Sequence, residues 1–112
     1  MENELEKKEY FGQLLLLYGK LLTKNISHRM ELFYLNDYSI TEISEVEEVS
    51  RNAVFESLSH GERQLEKYED SLGLYKKNQR LALIAEKLSK EEKQDEKEKL
   101  IQELKGEIGY GI

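Results

Sequence analysis

Apolar residues recur every three to four positions along most of the chain, the spacing of an amphipathic helix. Over residues 2–22, Tyr10, Leu14, Leu17, Tyr18 and Leu21 follow that spacing, and Leu15, Leu16 and Leu22 widen the stripe. So broad a face predicts a first helix buried on more than one side. Thr23 is placed to cap a second helix to about Leu35, with Ile26, Met30 and Phe33 at i, i+4, i+7 and Leu32 and Leu35 beside them. Asn36-Asp37 is a turn signal.

The stretch YSITEISEVEEVSRNAVFESL, Tyr38 to Leu58, reads as a helix-turn-helix. Ser39 or Thr41 caps a short helix carrying Ile40, Ile43 and Val46. Val49 bridges a tight turn, and Ser50 caps a second helix carrying Ala53, Val54 and Leu58. A hydroxyl at such a position satisfies backbone amides that have no partner in the first turn. Two helices this short are marginal alone, so residues 23–58 are expected to form a trihelical unit.

From Ser50 the pattern runs on as a long helix from Arg51 to about Leu72, with a bend expected near Gly61. Leu58, Leu65 and Leu72 lie seven apart, with Tyr68 and Tyr75 in a second row. That resembles a short heptad seam and makes Leu58, Leu65, Tyr68, Leu72 and Tyr75 candidates for a homodimer interface. Packing of the stripe against the first helix is the competing reading. A break is expected around Gly73, then a helix carrying Leu81, Ile84 and Leu88. Residues 89–99, SKEEKQDEKEK, alternate in sign and predict a solvated helix. The glycine-rich end, GEIGYGI, is expected to fray. The fold class is therefore all-α: a trihelical helix-turn-helix without a wing, a long following helix, and further helices at both ends. Residues 1–88 are expected to form the domain and 89–112 a charged, helical or partly disordered tail.

Composition narrows the chemistry. The 112 residues contain no proline and no cysteine, which excludes disulfides and thiolate metal sites. His28 with Glu31 is an i, i+3 pair that would need further ligands to hold a metal. Carboxylates are plentiful, but none sits in an apolar setting that would tune a catalytic pKa, and no phosphate-cradling glycine loop appears. A non-enzyme with no cofactor and no metal is expected. No segment is apolar for long enough to span a bilayer and the N-terminus is acidic, which predicts a cytosolic protein without membrane insertion.

The net charge is −6, against indiscriminate nucleic-acid binding. Residues 41–50 alone sum to −4, from Glu42, Glu45, Glu47 and Glu48, whereas residues 51–85 sum to +1. Binding through the second helix of the motif remains the leading function. In such motifs the start of that helix enters the major groove, where arginine and asparagine read guanine and adenine edges. Arg51 and Asn52 have those types and places. Ser50, Ser57 and His60 are candidate phosphate contacts, and Arg63 reaches backbone farther along.

The stretch LFYLNDYSITEISEVEEVSRNAVFESL resembles the C-terminal promoter-reading region of bacterial sigma factors, with Glu48 at the position of the usual turn glycine. The fuller pattern is YGKLLT, MELFYLNDYSITEIS, VSRNAVFESL and LEKYEDSLGLYKK, over about residues 10–80. It is similar to the YlxM-type family of small helix-turn-helix proteins. The resemblance implies an all-helical protein with a sigma-like helix-turn-helix. It also implies a regulatory role in the signal recognition particle pathway, with a component of that particle as a partner; the few basic groups available predict that any binding to DNA or RNA is weak. A dimeric module that binds the particle's GTPase without touching DNA is the alternative.

Overall fold

Asn3 opens the first helix by accepting the Glu6 amide on its Oδ1 at 2.8 Å. The computed structural model describes residues 3–109, so the last three residues of the glycine-rich end lie outside the described residues. Helix α1 spans Glu4–Tyr18 and closes in a 3-10 turn, Gly19–Leu21. Helix α2 spans Lys24–Met30 and widens into a π-helical stretch, Glu31–Leu35. There the Asn36 amide reaches back to the Glu31 carbonyl, and Asp37 takes a left-handed conformation at φ 58°. Helices α3 (Ile40–Glu47), α4 (Arg51–Leu72), α5 (Leu74–Lys90) and α6 (Gln94–Ile108) follow. No strand occurs among the described residues.

The chain divides between Leu72 and Gly73 into two compact units. Unit 1 is organised on α4, which packs against α1, α2 and α3. Leu14, Met30, Ile43, Val54 and Leu65 are fully buried and Tyr18 nearly so. Each such aliphatic side chain contributes about 1.5–3 kcal/mol relative to exposure. Leu58 and Leu65, expected on a dimer seam, are 4% and 0% exposed within the single chain. They are core residues, because α1 and α2 cover that face of α4. Gly61 is buried beside them: a Cβ there would lie 2.1 Å from Met30 Sδ. The glycine is thus the crossing point of α2 and α4, and α4 runs through it as one helix.

Polar groups hold the same helices in register. Glu62, Glu66 and Glu69 lie at i, i+4, i+7 on α4, and each accepts a tyrosine hydroxyl. Tyr34 donates to Glu62, Tyr10 to Glu66 at 3.2 Å, and Tyr18 to Glu69 at 2.8 Å. Glu69 is only 4% exposed, so its carboxylate depends on such donors. Burial, then the hydrogen bond to Glu62, pushes the Tyr34 hydroxyl well above its ordinary range.

Gly73, at φ 64°, ends α4 and begins α5. It puts Tyr75 on a different helix from Leu58, Leu65 and Leu72, so the five residues do not share one stripe. Unit 2 is an α5–α6 hairpin joined across its length by Arg80 Nε and Glu107 Oε1 at 2.9 Å. The solvated helix expected over 89–99 is interrupted: Glu91 and Lys93 are extended, and the Glu91 carboxylate accepts the amides of Glu92 and Lys93. Residues 74–88 accordingly group with the charged segment that follows, because α5 packs on α6.

Candidate nucleic-acid interface

The helix-turn-helix is built as a capped pair. Ser39 Oγ accepts the Glu42 amide at 3.0 Å, and the Glu42 carboxylate accepts the Ser39 amide at 2.9 Å. These reciprocal bonds form a capping box and hold the Glu42 carboxyl below its ordinary range. Thr41, the other candidate cap, lies inside the helix and gives its carbonyl to Ser44 Oγ. At the far end Glu48 adopts a left-handed conformation, φ 55°, ψ 44°. The turn geometry that a glycine normally serves is therefore retained with a carboxylate side chain in place.

One residue missed by sequence reasoning fixes the angle between the two helices. Arg29 of α2 donates from Nε to Glu47 Oε1 at 3.1 Å and from Nη1 to Ser57 Oγ at 2.8 Å. Glu47 ends α3 and Ser57 lies in α4, so a single half-buried guanidinium joins all three helices of the motif. No local pattern reveals it, since the partners lie 18 and 28 residues away.

The candidate contact residues separate into two groups. Ser50 Oγ accepts the Ala53 amide at 3.0 Å and caps α4. Ser57 is held by Arg29. Both hydroxyls serve the fold first. Asn52 is exposed and its amide donates to Glu56 Oε1 at 3.3 Å, one turn along the same helix. Arg51, His60 and Arg63 are exposed and, among the described residues, have no hydrogen-bond or ion-pair partner. Lys67 joins them in both respects. His60, Arg63, Gln64, Lys67 and Tyr68 line a shallow cleft of about 150 Å³ along α4. Lys67, which sequence reasoning missed, falls one turn beyond Arg63, and that i, i+4 spacing is the signal that could have found it.

Tyr68 is half-buried, with its ring 6.0 Å from that of Tyr18 and its hydroxyl directed at the Leu21 carbonyl at 3.4 Å. Leu72 is 56% exposed. His28 and Glu31 both face solvent, and no group of three or more His, Asp or Glu side chains gathers among the described residues to hold a metal. None of the described helices is long and apolar enough to cross a membrane.

A family model described as "Putative helix-turn-helix protein, YlxM / p13 like", UPF0122, matches residues 5–105. The chain belongs to the UPF0122 family. A UPF0122 protein of Caldanaerobacter subterraneus subsp. tengcongensis is 46% identical over 71 residues, 63% of this chain and 61% of the relative. The aligned region thus spans about three-fifths of that relative's length. One from Geobacillus kaustophilus is 44% identical over 84 residues, covering 75% of this chain and 76% of the relative. One from Bacillus licheniformis is 42% identical over 101 residues, covering 89% and 94%.

On this UPF0122 chain the other side of α4 borders a groove of about 370 Å³. Phe33, Ile40 and Phe55 supply its apolar lining, and Lys7 and Lys8 stand at its rim. Both lysines are engaged: Lys7 with Glu62 at 3.6 Å, and Lys8 with Asp37 at 3.5 Å and over the Phe33 ring at 4.6 Å. Phe55 is 57% exposed. Glu42, Glu45 and Glu48 of α3 and the turn, and Glu56 of α4, are also exposed. The unpaired cations of the motif therefore lie along α4 and its carboxylates around the turn.

Proposed function

We propose that this UPF0122 protein is a non-enzymatic, nucleic-acid-binding regulator of the cytoplasm, acting in the signal recognition particle pathway. The observation that carries the binding is the exposed row of His60, Arg63 and Lys67 along one face of α4, free of ion pairs among the described residues, with the exposed Arg51 at the start of the same helix. The pathway rests on the family resemblance. Arg51 and Asn52 are the base-reading pair; His60, Arg63 and Lys67 meet phosphate. Reading adenine requires Asn52 to exchange its Glu56 contact for a base edge.

Few cations and four nearby carboxylates make the complex weak and salt-sensitive. Neutralisation of two phosphates, by Arg63 and Lys67, corresponds on duplex DNA to a log–log salt slope of about −1.8. Fluorescence anisotropy against duplex DNA and against signal recognition particle RNA at about 50 mM salt tests this. Saturable binding that Arg51→Ala and Arg63→Ala each weaken is expected. No binding to either ligand, or binding indifferent to both substitutions, defeats the proposal.

The exposed Phe55 beside the Phe33–Ile40 groove favours a second reading, in which the motif docks a protein such as the particle's GTPase without touching DNA. Under that reading Phe55→Ser abolishes capture of the purified GTPase and Arg63→Ala leaves it intact.

A further inference from the structure

The α5–α6 hairpin contains a single buried apolar side chain, Ile84, at 6% exposure. Burying it contributes about 1.5–3 kcal/mol, whereas ordering each residue's backbone costs about 1–2 kcal/mol. A two-helix hairpin with so thin a seam needs a further surface against it. Its apolar residues supply one. On α6 Ile101 and Ile108 lie seven apart with Leu104 between them, while Leu74, Leu81 and Leu88, seven apart on α5, share the face that buries Ile84. Seven-residue spacing keeps each set on one helix face. Ile101 and Ile108 remain 39% and 55% exposed.

The charges identify the occupant. Helix α5 carries five basic residues against one acidic, and α6 carries five acidic against three basic. The hairpin is therefore complementary to itself when turned over, with α5 facing the α6 of another copy. We propose that this UPF0122 protein forms a homodimer in which two α5–α6 hairpins pack into a four-helix bundle, with Ile101 and Ile108 at its centre. This places the interface away from α4, whose Leu58 and Leu65 are already core. Helices of 15 and 17 residues are about 23–26 Å long. A pair of them presents a face toward the small end of specific interfaces, which corresponds to a micromolar complex.

Sedimentation velocity on the full chain over about 1–100 μM, bracketing that affinity, tests the assembly. The expected result is a monomer–dimer equilibrium that Ile101→Glu and Ile108→Glu shift to monomer, at least tenfold in dissociation constant, and that Phe55→Ser leaves unchanged. Both isoleucines are exposed in the chain, so circular dichroism is expected to show retained helix. Because the chain has no cysteine, Ile101→Cys supplies a check that does not depend on a disruptive charge: a bis-maleimide should trap a covalent dimer. A monomer throughout the range, or a dimer that survives both glutamates, overturns the proposal. So does a dimer that Phe55→Ser dissolves while Ile101→Glu does not.

Discussion

Replacing Gly61 with alanine sets two effects of known sign against each other. Alanine is favoured over glycine inside a helix by about 1 kcal/mol, and Gly61 lies in the middle of α4. The added methyl, however, would stand 2.1 Å from Met30 Sδ, 3.1 Å from Met30 Cε and 3.0 Å from Ile26 Cγ2. Carbon and sulfur pack comfortably only beyond about 3.5 Å, so Met30 would have to retreat by more than an ångström. It is completely buried, so it cannot swing out to solvent without disturbing the core. Overpacking of this kind costs about 1–3 kcal/mol, and the shift required places Gly61→Ala at the upper end. The net expectation is a destabilisation of about 1–2 kcal/mol after the propensity gain. Urea denaturation followed by far-UV circular dichroism reads it directly, and a double-mutant cycle with Met30→Ala locates it. Met30→Ala alone should cost about 2–5 kcal/mol by opening a cavity. The Gly61→Ala methyl then fills part of that cavity, so the double variant should be more stable than the sum of the singles by about 1–2 kcal/mol. Stabilisation by Gly61→Ala alone, or strict additivity with Met30→Ala, would refute the close crossing of α2 and α4.

Glu48→Gly should stabilise the protein by about 0.5–1 kcal/mol. It relieves a left-handed side-chain conformation worth about 1–2 kcal/mol and gives back part of that in unfolded-state entropy; Glu48→Ala, which keeps the conformational cost, should not stabilise, and thermal melts of the two distinguish strain from charge. Arg29→Ala should cost about 1.5–3 kcal/mol through lost charged hydrogen bonds and weaken any nucleic-acid complex without removing a contact residue. Equal stability of Arg29→Ala and the parent in urea would count against the three-helix clamp. Because Tyr34 is pushed above its ordinary value of 10.0 in the folded chain, the folded state holds a proton that the unfolded chain gives up. Stability should therefore be fully present below pH 10 and fall as pH rises beyond it, a decline that Tyr34→Phe should flatten in alkaline denaturation.

What the sequence made legible was whatever depends on neighbours a few residues apart. The 3.6-residue period located α1, α3 and α4, the hydroxyls at Ser39 or Thr41 and at Ser50 marked the caps, of which the fold uses Ser39 and Ser50, and Gly73 marked a break. What it hid depends on contacts between distant segments. Gly61 read as a weak point in a helix because propensity is local, whereas its role comes from Met30, thirty-one positions earlier. Leu58 and Leu65 read as a seam because seven-residue spacing describes a face without saying what covers it. Glu62, Glu66 and Glu69 carry no local signal of their role, yet tyrosines from α1 and the π-helical stretch turn them into a ladder of hydrogen bonds.

The same division runs through the functional residues, and it bears on how the motif should be understood. Arg51 and Arg63 are visible in the sequence as cations on a recognition helix and His60 as a polar side chain beside them, and all three remain uncommitted in the fold. Ser50, Asn52 and Ser57 were chosen for chemistry that a cap, an i, i+4 pair and a clamp already employ. Arg29, meanwhile, is held half-buried between Glu47 and Ser57, where it orients α4 rather than contacting a ligand. The motif thus places its cations along the outer length of α4 and its carboxylates around the turn. A helix so arranged meets a phosphate backbone over His60, Arg63 and Lys67 more readily than it drives its start, which follows the carboxylates of α3 and the turn, deep into a groove. Loss of affinity should therefore be greater for Arg63→Ala and Lys67→Ala together than for Arg51→Ala. Sequence preference, by contrast, should follow Arg51 and Asn52.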